Sequence, residues 1–388
     1  MRIGLVTGEY PPDRGGVGDF TKQLGKALVD LGHEVHVITK RSPSTDLTQH
    51  TSPATVHRTV DDWSWRCWKH IVALAEDLDL DILDVQYQAA AYRMHPAINL
   101  VPRPQGRPPV VVTFHDLKVP YLFPKAGPLR RRVVRMLARR ADAVIVTNRE
   151  DHLRLEEEID SHKLKLIPIG SNIEPSPPAD YEREAERAHW GIGPDDVLLG
   201  YFGFLNESKG GEELIRALHL LVEQDLPAHL LKIGGRIGTS DPTNRAYAER
   251  IDRLIADLAL TPRVHWTGYA SPKQVSAALL AADVCVLPYR DGVSFRRGTL
   301  LACLAHGRAI VTTRPSVPLP QIRDGETMLL VEPRDPSGLA EAVIQLARSP
   351  ELQTRLEAGA ASLAAEFTWE RIARRTAAVF DGLTRGDL

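Results

Sequence analysis

Arg296 and Arg297 stand directly before Gly298 and Thr299, in a loop that opens at Gly292 and Ser294 and runs into the apolar stretch Leu300 to Ala305. These residue types suit an anion. A guanidinium presents a planar fork of donors that matches phosphate oxygens, and the first turn of a helix leaves backbone N–H groups unpaired with partial positive charge. Glycine beside them lets a ligand approach the backbone. The stretch from Leu287 to Thr313 therefore reads as strand, anion-binding turn and helix, with a solvated surface loop as the competing reading. A second glycine-bearing turn, GEYPPDRGGVGDF, follows Ile3 to Thr7, and Gly15, Gly16 and Gly18 leave room there for a ligand; its spacing matches neither the dinucleotide fingerprint nor a P-loop. His115 closes the apolar run Val110 to Phe114, where a lone histidine is most often a local hydrogen-bonding group.

Short, β-branched, nearly continuous apolar runs carry these candidates. Ile3 to Thr7, Val35 to Ile38, Ile82 to Gln86, Val110 to Phe114, Ala143 to Thr147 and Lys165 to Pro168 alternate with helical segments, as buried parallel strands do in a doubly wound α/β sheet. The texture restarts with Leu198 to Phe202, His229 to Ile233, Val264 to Thr267, Val284 to Leu287, Ala309 to Thr312 and Met328 to Val331. Between them IEPSPPADYE, residues 173–182, holds three prolines and reads as a linker. The 388 residues are thus expected to form two α/β domains, 1–174 and 175–367, with ligands at the carboxyl ends of the strands and a cleft between the two halves. Thr368 to Leu383 reads as an amphipathic terminal helix.

Taken together the segments resemble the retaining glycosyltransferases of family 4. The resemblance rests on IGLVTGEYPPDRGGVGDF with LGHEVHVIT, VVTFHD, ADAVIVTN and IPIGSNI in the first half. It continues with GYFGFLNESKGGEELIRAL, HWTGY, AADVCVLPY, LACLAHGRAIVTT, IRDGETMLLVEPRD and FTWERIA in the second. It implies a GT-B fold, two facing Rossmann-like domains with the C-terminal helix, residues 368–388, crossing back to the first. It further implies an N-terminal domain that holds the acceptor and a C-terminal domain that holds a nucleotide-diphosphate sugar. Position by position, Gly203, Phe204, Leu205, Lys209 and Gly210 stand where the family has GRL and KG, so Lys209 falls at the lysine that grips the donor diphosphate and Phe204 replaces its partner arginine. Ser294 and Ala302 stand where the family has two glutamates. Arg296 and Arg297 are expected to restore the missing cation, with Gly203, Ser294, Gly298 and Thr299 lining the donor and Gly15 and Gly16 approaching a ligand. His115 matches the family's active-site histidine.

The expected function is metal-independent, retaining, hexosyltransferase-like transfer of a sugar to an acceptor hydroxyl on a glycan or small molecule, with the nucleotide sugar as substrate and no cofactor. A non-catalytic GT-B subunit that binds nucleotide or glycan, and a nucleotide-sugar epimerase, are the alternatives. Net charge of -2 argues against nucleic acid, and Cys67, Cys285 and Cys303 form no CxxC pair. His33 and His36 lack further ligands, no other group has metal-ligand spacing, and Asp77, Asp79, Asp81 and Asp84 read as a solvated acidic edge. No apolar run reaches the roughly 18 residues of a membrane span and the chain opens on strand-like MRIGLVT, so a cytoplasmic protein is expected. The basic run Arg130, Arg131, Arg132, Arg135, Arg139 and Arg140 is compatible with weak peripheral membrane contact, and more simply with a solvated helix face.

Overall fold

Each apolar texture closes into its own compact unit in the computed structural model, which describes residues 1–388 other than 14, 42–47, 52, 103–106, 118–126, 236–241 and 388. Unit 1 comprises Met1–Asn172 with Thr368–Leu388, and unit 2 comprises Ile173–Phe367.

Unit 1 runs β1 (Arg2–Thr7), α1 (Gly16–Asp30), β2 (Glu34–Lys40), β3 (Thr48–Thr51), β4 (Ala54–Val60), α2 (Cys67–Asp77), β5 (Ile82–Tyr87), β6 (Val110–Phe114), α3 (Gly127–Arg140), β7 (Ala143–Val146), α4 (Arg149–Leu155) and β8 (Leu164–Leu166). The described strands lie in the order β3-β4-β2-β1-β5-β6-β7-β8, all parallel except the edge pair β3 and β4. Every residue of β5 and β6 is buried, because helices cover both faces of a parallel sheet. On one face α1 buries Val17, Phe20, Leu24 and Leu28, a helical stripe of spacing three and four.

Unit 2 runs α5 (Arg183–His189), β9 (Val197–Phe202), α6 (Gly211–Glu223), β10 (Ala228–Ile233), α7 (Pro242–Asp257), β11 (Val264–Trp266), α8 (Pro272–Ala281), β12 (Val284–Leu287), α9 (Gly298–Ala305), β13 (Ala309–Thr313), β14 (Leu329–Val331), α10 (Pro336–Ala347) and α11 (Pro350–Ala364). Its parallel sheet is ordered β11-β10-β9-β12-β13-β14. The chain then returns to unit 1 as α12 (Trp369–Arg385), capped by the Thr368 side chain. Trp369, Ile372, Ala373, Thr376 and Phe380 are its buried stripe, and they share a core with Phe20, Leu24 and Leu28 of α1.

Three expectations change. Asp77, Asp79 and Asp81 are exposed, but Asp84 is not part of a solvated edge: it lies on β5, fully buried. The strands β3 and β4 have no counterpart in the apolar runs, because β3 is polar throughout and β4 carries His57 and Arg58. His36 stacks on His57 with Nδ1 and Nε2 3.0 Å apart, joining β2 to β4 rather than standing alone. The side chains of Arg130 and Arg131 fall outside the described residues, while Arg135 pairs with Glu158 at 2.8 Å.

Candidate active site

The order in which strands are added reverses between β9 and β12 in unit 2 and between β1 and β5 in unit 1, the positions where open α/β sheets leave a crevice at the strand ends. The first holds Gly203, Lys209 and the arginine loop; the second holds the glycine turn after β1, with His115 one strand further on.

Gly203 follows β9 with φ of +118°, and a Cβ placed there would lie 2.8 Å from Thr299 Cγ2 and 3.0 Å from Lys209 Nζ. Lysine, threonine and bare backbone therefore meet at one point. Lys209 sits in a single 3-10 turn, Glu207–Lys209, and its own backbone N–H donates to the Asn206 side chain at 3.1 Å. Arg290, after β12, fixes that turn from outside. Its backbone N–H donates to Ser208 O at 2.9 Å, and its guanidinium reaches Glu207 and Glu213 at 2.8 Å and Glu212 at 3.2 Å. Lys209 has no acidic partner among the described residues, and burial, aided by the neighbouring Arg297 charge, lowers its pKa to about 8.

The arginine loop is organised by Asp291. Its carboxylate accepts from Arg296 at 2.7 Å and also pairs with Arg297. Arg297 additionally lies 4.9 Å over the ring of Tyr289, whose hydroxyl bonds Thr299 Oγ1 at 2.6 Å, so Arg297 is tied to the same point as Lys209. Arg296 reaches that group through Asp291. The N-terminus of α9 has no side-chain cap, Gly298 is exposed and nothing stands within 4 Å of where its Cβ would be. Arg296 and Arg297 thus share one carboxylate, with Lys209 beside Arg297 and the uncapped amides of α9 next to them. Ser294 is buried below, its Oγ without a hydrogen-bond partner, and Ala302 is buried on α9, so neither brings a carboxylate. Phe204 is 47% exposed.

In unit 1 the glycine turn binds a carboxylate of its own. Glu9 Oε1 accepts from the N–H groups of Val17 at 3.1 Å and Gly18 at 3.4 Å, filling the N-terminus of α1. Gly15 packs so closely on it that a Cβ would come within 1.9 Å of the carboxylate, whereas Gly16 faces open space. Burial raises the Glu9 pKa despite those amides. His115 extends the β6 ladder by one bond, N–H to Tyr87 O at 3.1 Å, and its ring meets Phe20 edge-on at 4.6 Å. Its Nε2 lies 3.0 Å from Gln86 Oε1. Burial drives its pKa down to about 3, so the imidazole is neutral at any working pH.

Sequence reasoning missed Asp291, Tyr289, Arg290 and Gln86. Asp291 was adjacent to the arginines and opposite in charge, which is a readable signal; Arg290 and Gln86 act across strands and leave none. Among the described residues no group of three metal-ligating side chains exists and no helix is long and apolar enough to cross a membrane. The three cysteines are buried.

Residues 14–174 match the family model described as Glycosyltransferase Family 4, and residues 196–349 match that described as Glycosyl transferases group 1. A D-inositol 3-phosphate glycosyltransferase of Corynebacterium urealyticum is 28% identical over 260 residues, which take in 66% of this chain and 60% of that protein. A protein of the same name from Corynebacterium efficiens is 25% identical across 100% of this chain and 96% of its own length. Among solved structures, sucrose-phosphate synthase from Thermosynechococcus elongatus has a TM-score of 0.75 at 22% identity, covering 100% of both chains. Anabaena HepE, solved with UDP and glucose, has a TM-score of 0.74 at 18% identity, covering 98% of this chain and 100% of that one. These likenesses establish the GT-B fold of two Rossmann-like domains. With one glycosyltransferase model on each of its two units, the chain belongs to the family 4 glycosyltransferases.

Proposed function

We propose that the protein transfers a sugar, with retention, from a nucleotide-diphosphate sugar to an acceptor hydroxyl, without a divalent metal. The observation that carries this reading is the meeting of Lys209 and Thr299 at Gly203, with Arg297 next to Lys209 and the uncapped amides of α9 beside them. A diphosphate leaving group is the ligand such a point serves. Each charge-assisted hydrogen bond is worth about 1.5–3 kcal/mol, and fixed donors stabilise charge that develops on the leaving group without reorganising. His115, neutral and held at a strand end, would bond the transferred sugar. Unit 2 would take the donor and unit 1 the acceptor. Uridine is the first base to test, because HepE was solved with UDP, and D-inositol 3-phosphate belongs in the acceptor panel because it appears in the relatives' names.

The test is thermal shift with UDP, GDP and ADP, followed by transfer assays in excess chelator and proton NMR of the product anomer. Stabilisation by one nucleoside diphosphate, turnover without added metal and a retained anomeric configuration are expected. Activity that returns only with manganese or magnesium would refute the metal-free mechanism. A second reading has its own observation: Ser294 and Ala302 leave no carboxylate at either glutamate position, which suits a non-catalytic binding subunit. Nucleotide binding with no hydrolysis or transfer across a broad panel would favour it.

A further inference from the structure

The parallel pairing of β5 with β6 sets Gln86 opposite Thr113, and the period of two puts Asp84, Gln86, Thr113 and His115 on one sheet face. That is a polar line inside an apolar layer. Phe20 and Trp369 meet edge-on above it, and Ile82 and Val111 lie at its foot. Asp84 and Gln86 are fully buried. The Asp84 carboxylate accepts from Thr113 Oγ1 at 2.9 Å and from Gln86 Nε2 at 2.7 Å. Burial lifts the Asp84 pKa to about 7, and above that pH the group is a carboxylate, which takes only donors and so holds the Gln86 amide with its NH2 inward and its Oε1 outward. That Oε1 faces His115 Nε2 at 3.0 Å and can only accept, which places the imidazole's proton on Nε2. Nδ1 is then the lone-pair nitrogen, and it has no partner among the described residues.

We propose that Asp84 and Gln86 are positioning residues for His115, fixing its tautomer so that Nδ1 offers the sugar a hydrogen-bond acceptor rather than a donor. This rests on the reading of His115 as the residue that bonds the transferred sugar. The ligand chemistry follows: Nδ1 selects a donor sugar bearing a hydroxyl at that point and disfavours one bearing only an acceptor there. Burial supports the device, because the ring stays uncharged and one proton alone must be placed.

The experiment labels histidine with 15N and reads the His115 nitrogens by NMR, assigned through His115→Gln, in the full chain and in two variants of similar volume, Gln86→Met and Asp84→Asn. The wild type is expected to show the Nε2–H tautomer. Gln86→Met should give a mixture and lower kcat about tenfold, the rate equivalent of losing one buried hydrogen bond, with the nucleoside diphosphate Kd unchanged. Asp84→Asn frees the amide to turn, so a mixed tautomer with a smaller loss of kcat is expected. An Nδ1–H tautomer in the wild type, or variants that keep wild-type tautomer and kcat, would overturn the positioning role. An Nε2–H ring together with a His115→Ala variant of full activity would instead overturn the sugar-facing reading, so the two failures are distinguishable.

Discussion

Lys209 carries a charge that its surroundings resist, and the resistance has a measurable edge. Its folded pKa is lowered to about 8 by burial and by Arg297, so the free protein presents an ammonium below that pH and a neutral amine above it. Nucleoside diphosphate affinity should hold steady up to about pH 8 and weaken beyond it, while Lys209→Arg, permanently charged, should flatten the profile; calorimetric titration across pH checks this. Lys209→Ala should cost about 1.5–3 kcal/mol of binding, roughly ten- to a hundredfold. Of the two loop arginines, Arg297 stacks on Tyr289 and adjoins Lys209, whereas Arg296 touches only Asp291 in the described contacts, so Arg297→Ala should lower kcat/KM more than Arg296→Ala does. Phe204→Arg should recover part of the Arg297→Ala loss. The two arginines stood out by residue type and local order, and Lys209 through the resemblance to the family pattern. Gln86 did not, since its role exists only once β5 lies beside β6.

At the scale of elements, α12 belongs to unit 1 by packing and not by sequence distance. Trp369 is buried against Gly170, where a Cβ would come within 2.6 Å of the indole, and its Nε1–H donates to Ser171 O at 2.7 Å. Trp369→Ala should therefore cost about 3–5 kcal/mol, seen as a lower urea midpoint, whereas Glu370→Ala, which removes an exposed pair with Arg374, should change it by less than about 1 kcal/mol. The helix was legible from its threonine cap and 3.6-residue stripe. β3 and β4 were not. An edge strand with one polar neighbour need not be apolar, so Thr48–Thr51 shows no hydrophobic run, and β4 holds Arg58, 1% exposed, bonded to Pro11 O. Asp84 failed for a related reason: two exposed aspartates next to it in sequence, Asp79 and Asp81, gave it their context, while the strand turned it inward.

For the molecule as a whole, acid should act on the fold through its buried histidines and, in the opposite direction, through the buried Asp84, whose pKa is raised to about 7 and which gains stability as it takes up a proton below that pH. His115, His229, His265 and His306 all have pKa values below the ordinary 6.5, chiefly through burial. Each binds a proton more readily unfolded than folded, so their stability contribution is present above pH 6.5 and is lost as pH falls towards the folded values. With Asp84→Asn removing the opposing carboxyl, urea midpoints measured from pH 8 to pH 4 should decline from about 6.5 downward, and adding His115→Gln should lessen the slope. A flat profile through pH 5 would show that these rings are protonated in the fold.

The carboxylate of Glu9 on the amides of α1 has one more consequence. Each unit has a helix that follows a central strand, α1 after β1 and α9 after β12, yet the helix-end charge is neutralised from within at the first and left open at the second. The two halves are alike in architecture and unlike in appetite for anions. Titration with a nucleoside diphosphate should accordingly reach equivalence at one molecule per chain, and Glu9→Gln, by removing the resident charge, is the change that would let a second, weaker equivalent appear.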